Sequence, residues 1–339
     1  MDNSSTVVVR ESECSYPRTG QAELHSAPMH VVFACDKRYA EHLAVAICSL
    51  CENNRKRPLS IYIVNSDLDQ EAWSSLESIA KRYGHGLTDV KIVEHELDAL
   101  VITRYYKKAM YYRLLIADKL PIPKALYLDA DVVVRGPIDE LYSTNVDDYY
   151  LAAVVDPGFT RHHDLEMSLD AKYFNSGVML LNLERWRQDR VKEMVIRFLE
   201  RKPTAVLHPD QCGINSVVNG RWKELHPRFN LQRTLFHKRT FCYSRTSEAL
   251  GLFPNGELAA ANEDPVIVHY SGEDKPWHVS YNLPDRGLYW KYLRKTPYSH
   301  LFSEDFTVLK AVRWSVPRLT PRLIKKALRN LYHLERALQ

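Results

Sequence analysis

The sequence predicts an α/β fold built on one mixed, mostly parallel sheet flanked by helices. Three observations predict it. Short apolar runs of strand length recur between Met29 and Tyr270, each separated from the next by a stretch with helical periodicity or a polar loop. The runs are rich in Val, Ile and Leu, as expected of strands covered on both faces. Acidic residues fall at several of their carboxyl ends, where open α/β sheets bind ligands.

The elements follow in order. Met29–Cys35 reads as the first strand, with Asp36 at its carboxyl end, and Tyr39–Cys51 as a helix with Leu43, Ala46, Ile47 and Leu50 on one face. The turn between them, Ala34 to Tyr39, has no glycine, which excludes a dinucleotide fingerprint and a phosphate-cradling P-loop. Leu59–Val64 is the second strand. Leu68–Tyr83 is a helix opened by Asp67 and Asp69, and Asp89–Val93 is a third strand. A helix over Tyr105–Leu120 carries Arg113. Leu126–Val134 reads as one buried strand holding Asp129 and Asp131 on the same face, about 7 Å apart at Cα. Leu151–Val155 ends at Asp156, and Asn175-Ser176-Gly177 leads into the strand Val178–Leu181. Leu183–Glu200 is a helix, and His208-Pro209-Asp210-Gln211 precedes another, for which Asp210 is a candidate N-cap. The polar segment Phe236–Asp264 reads as an insertion or flap, and Pro265–Tyr270 is a last strand that places His269 at its end.

Composition narrows the class. At 339 residues, with 45% hydrophobic and 26% charged, the chain resembles an ordinary globular protein with room for a large core. It contains no run of about 18 apolar residues, so no membrane-spanning helix is expected. Residues 1–28 are polar, lack the apolar stretch of a signal peptide and read as a disordered leader before a catalytic domain over 29–309. Six cysteines show no zinc spacing and read as buried reduced thiols, consistent with a cytoplasmic location. Basic charge concentrates in 310–339, where eight Lys or Arg face Glu335 alone. That distribution does not suit nucleic acid. From Thr320 the tail reads as an amphipathic helix. It suits an anionic membrane surface, on the cytoplasmic face of an inner membrane, and equally a helix packed on the domain or a dimer partner.

Asp129 and Asp131 admit two readings. In one, one Asp serves the turn at Gly136-Pro137 and the other a surface Lys; in the other, both aim at a hard divalent cation. His269 turns the second reading into a two-carboxylate, one-imidazole site, which favours Mn2+ over Mg2+. Beyond it, Gly272 permits a close backbone turn and Lys275 offers a point charge for phosphate.

Six motifs then carry a resemblance: Val32-Phe-Ala-Cys-Asp36, Tyr112-Arg113-Leu114, Tyr127-Leu-Asp-Ala-Asp131, Tyr173-Phe-Asn-Ser-Gly177, Asp210-Gln211 and His269-x-x-Gly272-x-x-Lys275-Pro-Trp277. In this order they resemble glycosyltransferase family 8, retaining enzymes of the GT-A fold, and within it the bacterial lipopolysaccharide and lipo-oligosaccharide galactosyl- and glucosyltransferases. The resemblance implies that Ala34 and Asp36 hold the uridine of a UDP-hexose and that Tyr39 stacks on its base. Asp129, Asp131 and His269 would bind manganese, and Gly272 and Lys275 the diphosphate. Arg113, Asn175, Asp210 and Gln211 would surround the donor sugar, and Asp156 would face a saccharide or glycolipid acceptor. Arg38 departs from the smaller polar residue common in relatives. Three rivals have distinct requirements. A sugar-nucleotide pyrophosphorylase needs the glycine-rich turn that Ala34 to Arg38 lacks, a non-catalytic nucleotide-sugar binder could lose Asp210 and Gln211, and a self-glucosylating primer protein needs its own acceptor Tyr.

Overall fold

Among the described residues, eleven strands divide between two sheets. The computed structural model describes residues 9–10, 27–93, 108–202, 208–235, 251–254, 256–281, 283 and 285–300. The strands are β1 (Val9–Arg10), β2 (Met29–Ala34), β3 (Leu59–Asn65), β4 (Gly86–Lys91), β5 (Lys124–Leu128), β6 (Val132–Val134), β7 (Leu151–Val155), β8 (Phe174–Asn182), β9 (Trp222–Glu224), β10 (Leu231–Gln232) and β11 (Ile267–His269). The larger sheet runs β1-β4-β3-β2-β5-β8-β7-β9 and the smaller β10-β11-β6. In the larger sheet β4, β3, β2 and β5 are parallel neighbours, as are β7 and β9, whereas β8 runs antiparallel to both β5 and β7. Its central strands bury most of their side chains, which accounts for their largely apolar sequence. β1, inside the expected leader, adds an antiparallel edge against β4; residues 1–8 and 11–26 of that leader lie outside the described residues, as does the tail 310–339.

The helices are α1 (Ala40–Asn53), α2 (Gln70–Arg82), α3 (Ile116–Lys119), α4 (Asp139–Ser143), α5 (Leu183–Gln188), α6 (Val191–Arg201), α7 (Pro209–Val217), α8 (Glu257–Glu263) and α9 (Arg286–Leu293). Asp69 caps α2 by accepting from the Ala72 N–H at 2.9 Å, a contact worth about 1 kcal/mol. α1 is buried almost all round and fastens β6. Val134 N–H donates to Ser49 Oγ, and Asn53 Nδ2 donates to the Val134 carbonyl. Cys35, Cys48, Cys51 and Cys212 are buried thiols not engaged in disulfides, Cys14 and Cys242 lie outside the described residues, and burial pushes the Cys51 thiol well up.

Four expectations are corrected. The run Leu126–Val134 is not one strand: it ends at Leu128, turns at 129–131 and resumes as β6 in the other sheet. The reason lies in the ladders, because Asp129 N–H still donates to Gly177 O of β8 while Asp131 O accepts from Tyr270 N–H beyond β11. In the helix expected over Tyr105–Leu120, Lys108–Leu115 is a 3-10 helix and only α3 is α-helical; 94–107 lie outside the described residues. The helix expected over Leu183–Glu200 breaks between α5 and α6, where Arg190 takes a left-handed φ of 52°. His208, not Asp210, is the N-cap of α7, with Pro209 at its first position.

The chain divides into two compact units, 1–271 and 272–339. In the second, Trp277 packs on Tyr289 of α9 at 5.3 Å between centroids, and Trp290 Nε1 and Arg286 Nε both donate to Pro276 O.

Candidate active site and metal centre

The antiparallel pairing of β6 with β11 sets His269 opposite Val132, one residue from Asp131. One ligand atom from each of Asp129, Asp131 and His269 then falls within 4.8 Å of the others. His269 Nε2 stands 3.3 Å from Asp131 Oδ1 and 3.7 Å from Asp129 Oδ2. The ring is buried, and its Nδ1 meets Asn230 Oδ1 at 3.1 Å. This donor set fits a divalent cation. Gly177 makes room for it: a Cβ there would lie 2.2 Å from His269 Cε1 and 2.7 Å from Asp129 Oδ2.

Asp129 divides its two oxygens between tasks. Oδ1 accepts from Arg113 Nη2 at 2.9 Å and from Tyr127 OH at 2.7 Å, so Oδ2 is the oxygen turned to His269. Arg113 is buried and spans the site. Its Nη1 donates to Ser176 Oγ and to Ser176 O, and its Nε stands 3.1 Å from Asp210 Oδ2 without hydrogen-bond alignment. The face of Tyr127 covers the guanidinium at 4.8 Å. Burial opposes the charge of Arg113, but Asp129 and Asp210 outweigh it and hold the guanidinium above its ordinary range. Burial pushes the Asp210 carboxyl up, and Arg113 offsets part of that.

α7 brings Asp210 and Gln211 to this place, tied to β8 by Asn215, which accepts from Phe174 N–H and donates to Phe174 O. Gln211 Oε1 accepts from Ser176 N–H at 2.9 Å, and Nε2 donates to Tyr173 OH at 3.1 Å and to Asp156 Oδ2 at 3.4 Å. Asp156, at the end of β7, is pushed up by burial, against the pull of the Gly158 N–H and the Gln211 amide. Asn175 Oδ1 accepts from Asn230 Nδ2 at 3.0 Å, so that Arg113, Asn175, Asp210, Gln211, Asp156, Asp129, Asp131 and His269 form one connected cluster. Ala34 and Asp36 lie at the carboxyl end of β2. Asp36 accepts from Arg38 N–H and Nε and forms an ion pair with its guanidinium. Tyr39 is 37% exposed and meets His42 edge-on. Gly272, with φ +86°, and Lys275, whose ammonium sits 5.9 Å from the Trp277 ring, belong to the second unit.

Sequence reasoning assigned no role to Tyr127, Ser176, Gly177 or Asn230. The first three lie inside quoted motifs, where the signal was available. Asn230 follows a 3-10 turn at Pro227–Phe229 and carried none.

Comparison with known proteins bears on the family and the fold. The family model for glycosyl transferase family 8 matches residues 30–280. General stress protein A of Bacillus subtilis (strain 168) is 31% identical over 283 residues, covering 80% of this chain and 95% of that protein. A lipopolysaccharide 1,2-glucosyltransferase of Escherichia coli is 28% identical over 316 residues, covering 85% and 90%. The crystal structure of the galactosyltransferase LgtC with donor and acceptor sugar analogues superposes with a TM-score of 0.70 at 21% identity, over 79% of this chain and 96% of that one. With a matched span from β2 to beyond His269, this chain belongs to glycosyltransferase family 8 and has the GT-A fold.

Proposed function

We propose that the protein moves a hexose, galactose or glucose, from a UDP-sugar to a saccharide or glycolipid acceptor with retention, in lipopolysaccharide or other cell-surface glycan synthesis. The observation that carries the reading is the convergence of Asp129, Asp131 and His269 beside the Arg113–Asp210–Gln211 cluster. Ala34, Asp36 and Tyr39 take the uridine end. Reaching Asp36 requires its pair with Arg38 to loosen, and the exposed Arg38 side chain makes that inexpensive. By their motif, Gly272 and Lys275 take the diphosphate.

Asp129, Asp131 and His269 would hold a Mn2+ ion, or Mg2+, which would supply positive charge against the charge developing on the leaving diphosphate. The residues around it favour same-face attack. Gln211 is an amide whose oxygen already accepts from Ser176, and Asp210 is buried against Arg113, so neither is poised as a nucleophile. The acceptor oxygen bonds the anomeric carbon as the bond to diphosphate breaks, and its proton passes to a diphosphate oxygen. Arg113 and Asp210 hold the sugar, and Asp156 orients the acceptor. The basic tail 310–339 docks the enzyme on anionic lipid at the cytoplasmic face, where a lipid-linked acceptor lies.

UDP release measured against a panel of UDP-sugars, with Mn2+ and with EDTA, tests this reading. One UDP-hexose should support turnover, EDTA should abolish it, and Asp131→Asn should lower it by about two orders of magnitude or more. Turnover unaffected by EDTA and by Asp131→Asn would refute the metal centre.

A further inference from the structure

We propose that Asn230 is a positioning residue of the metal centre, fixing His269 in the tautomer whose bare Nε2 faces Asp129 and Asp131. The inference rests on the reading of those three residues as cation ligands. A chain of hydrogen bonds with only one possible direction carries it. The Gly177 backbone N–H can only donate, and it meets the Asn175 side chain at 3.0 Å, so the atom facing it is Oδ1. The same oxygen lies 3.0 Å from the Asn230 side chain, which must therefore present its NH2 there. Asn230 is left with its carbonyl oxygen for the imidazole, 3.1 Å from Nδ1, and an acceptor at that place requires Nδ1 to carry the proton. A neutral ring has a single N–H, so the Nε2 lone pair is directed at the carboxylates.

Two features make the chain binding on the ring. Asn230 is fully buried, so no solvent replaces its oxygen. The other end is anchored too, because the Asn175 NH2 goes to Asp156. Every bond thus runs the same way, from His269 through Asn230 and Asn175 to Asp156. Gly177 acts twice, since its missing side chain admits the ring and its N–H orients the amides that set the ring's proton.

The test uses the full chain without metal, labelled with 15N at histidine. Long-range proton–nitrogen correlation of the His269 ring, identified by its loss in His269→Gln, should show Nδ1 protonated at about pH 9, well above an ordinary histidine pKa. A bare Nδ1 overturns the proposal. Titration with Mn2+ alone, followed by electron paramagnetic resonance, gives a second reading. Asn230→Leu should weaken binding roughly 10–100-fold. Asn230→Asp, which keeps an acceptor for Nδ1–H, should recover part of that loss. An Asn230→Leu protein that keeps the wild-type circular dichroism and binds Mn2+ as tightly as wild type also overturns it. If Asn230→Leu does not fold, the wild-type ring spectrum decides. A protonated Nδ1 in a wild-type protein that binds no Mn2+ supports the relay and instead refutes the cation reading on which the proposed function stands.

Discussion

A methyl group added at Gly177 would overlap His269 Cε1 and crowd Asp129 Oδ2, and neither has room to retreat, because the ring is held by Asn230 and the carboxylate by Arg113 and Tyr127. Gly177→Ala should therefore abolish Mn2+ binding, read by calorimetric titration, with β8 still formed by circular dichroism. Asp156 gives a pH prediction. Its folded carboxyl lies above the ordinary range because of burial, so the native state holds this proton more tightly than the unfolded chain does. Its contribution to stability is greatest below the ordinary carboxylate range, about pH 4, and falls as pH rises towards the folded value. Asp156→Asn mimics the protonated form. Its melting temperature should match wild type near pH 4 and exceed it by a margin that widens above that, while transfer falls. Thermal melts of both proteins across the range check the sign.

Among elements, α7 is the one whose placement the chemistry feels most, since it carries both Asp210 and Gln211. It lies close against α6 at Gly213, where a Cβ would come within 2.8 Å of Val195 Cγ1 and 3.3 Å of Leu199 Cγ. Gly213→Ala should lower the unfolding free energy by about 1–3 kcal/mol, measured in urea, and reduce turnover through a shifted Gln211. β7 is legible in the sequence because a strand buried along its whole length writes itself as an apolar run, and β2 and β3, buried at most positions, are legible for the same reason. The division of Leu126–Val134 into β5 and β6 is not. Its hydrophobic character is the same on both sides of the turn, and what changes is the ladder partner, β8 before and β11 after, which is a non-local property. The break at Arg190 was hidden for a different reason: a left-handed residue that is not glycine leaves no compositional mark. Asp129, Asp131 and His269 are visible in sequence as carboxylates and an imidazole at strand ends, and the fold brings them within reach of one another. Asn230 is not visible in this way, because an asparagine after a short turn reads as a loop residue until its buried neighbours are known.

For the whole molecule, the described residues contain no helix long and apolar enough to cross a membrane, and the basic charge gathers at one end of the chain. Truncation after Leu309 should release the protein from vesicles containing anionic lipid in a sedimentation assay, with UDP release to a soluble acceptor retained. Binding that persists after truncation would remove the tail from membrane docking. The small sheet has a consequence of another kind. β10 and β11 are parallel neighbours, so the chain between Gln232 and Ile267 departs from one strand and returns to the adjacent one with both ends held. The returning end is anchored before it re-enters the sheet: Leu258 and Ala261 of α8 are buried, Asn262 Nδ2 donates to Leu235 O, and Val266 N–H donates to Arg228 O. A change that unseats α8 should therefore be felt at His269, through the register of β11 against β6.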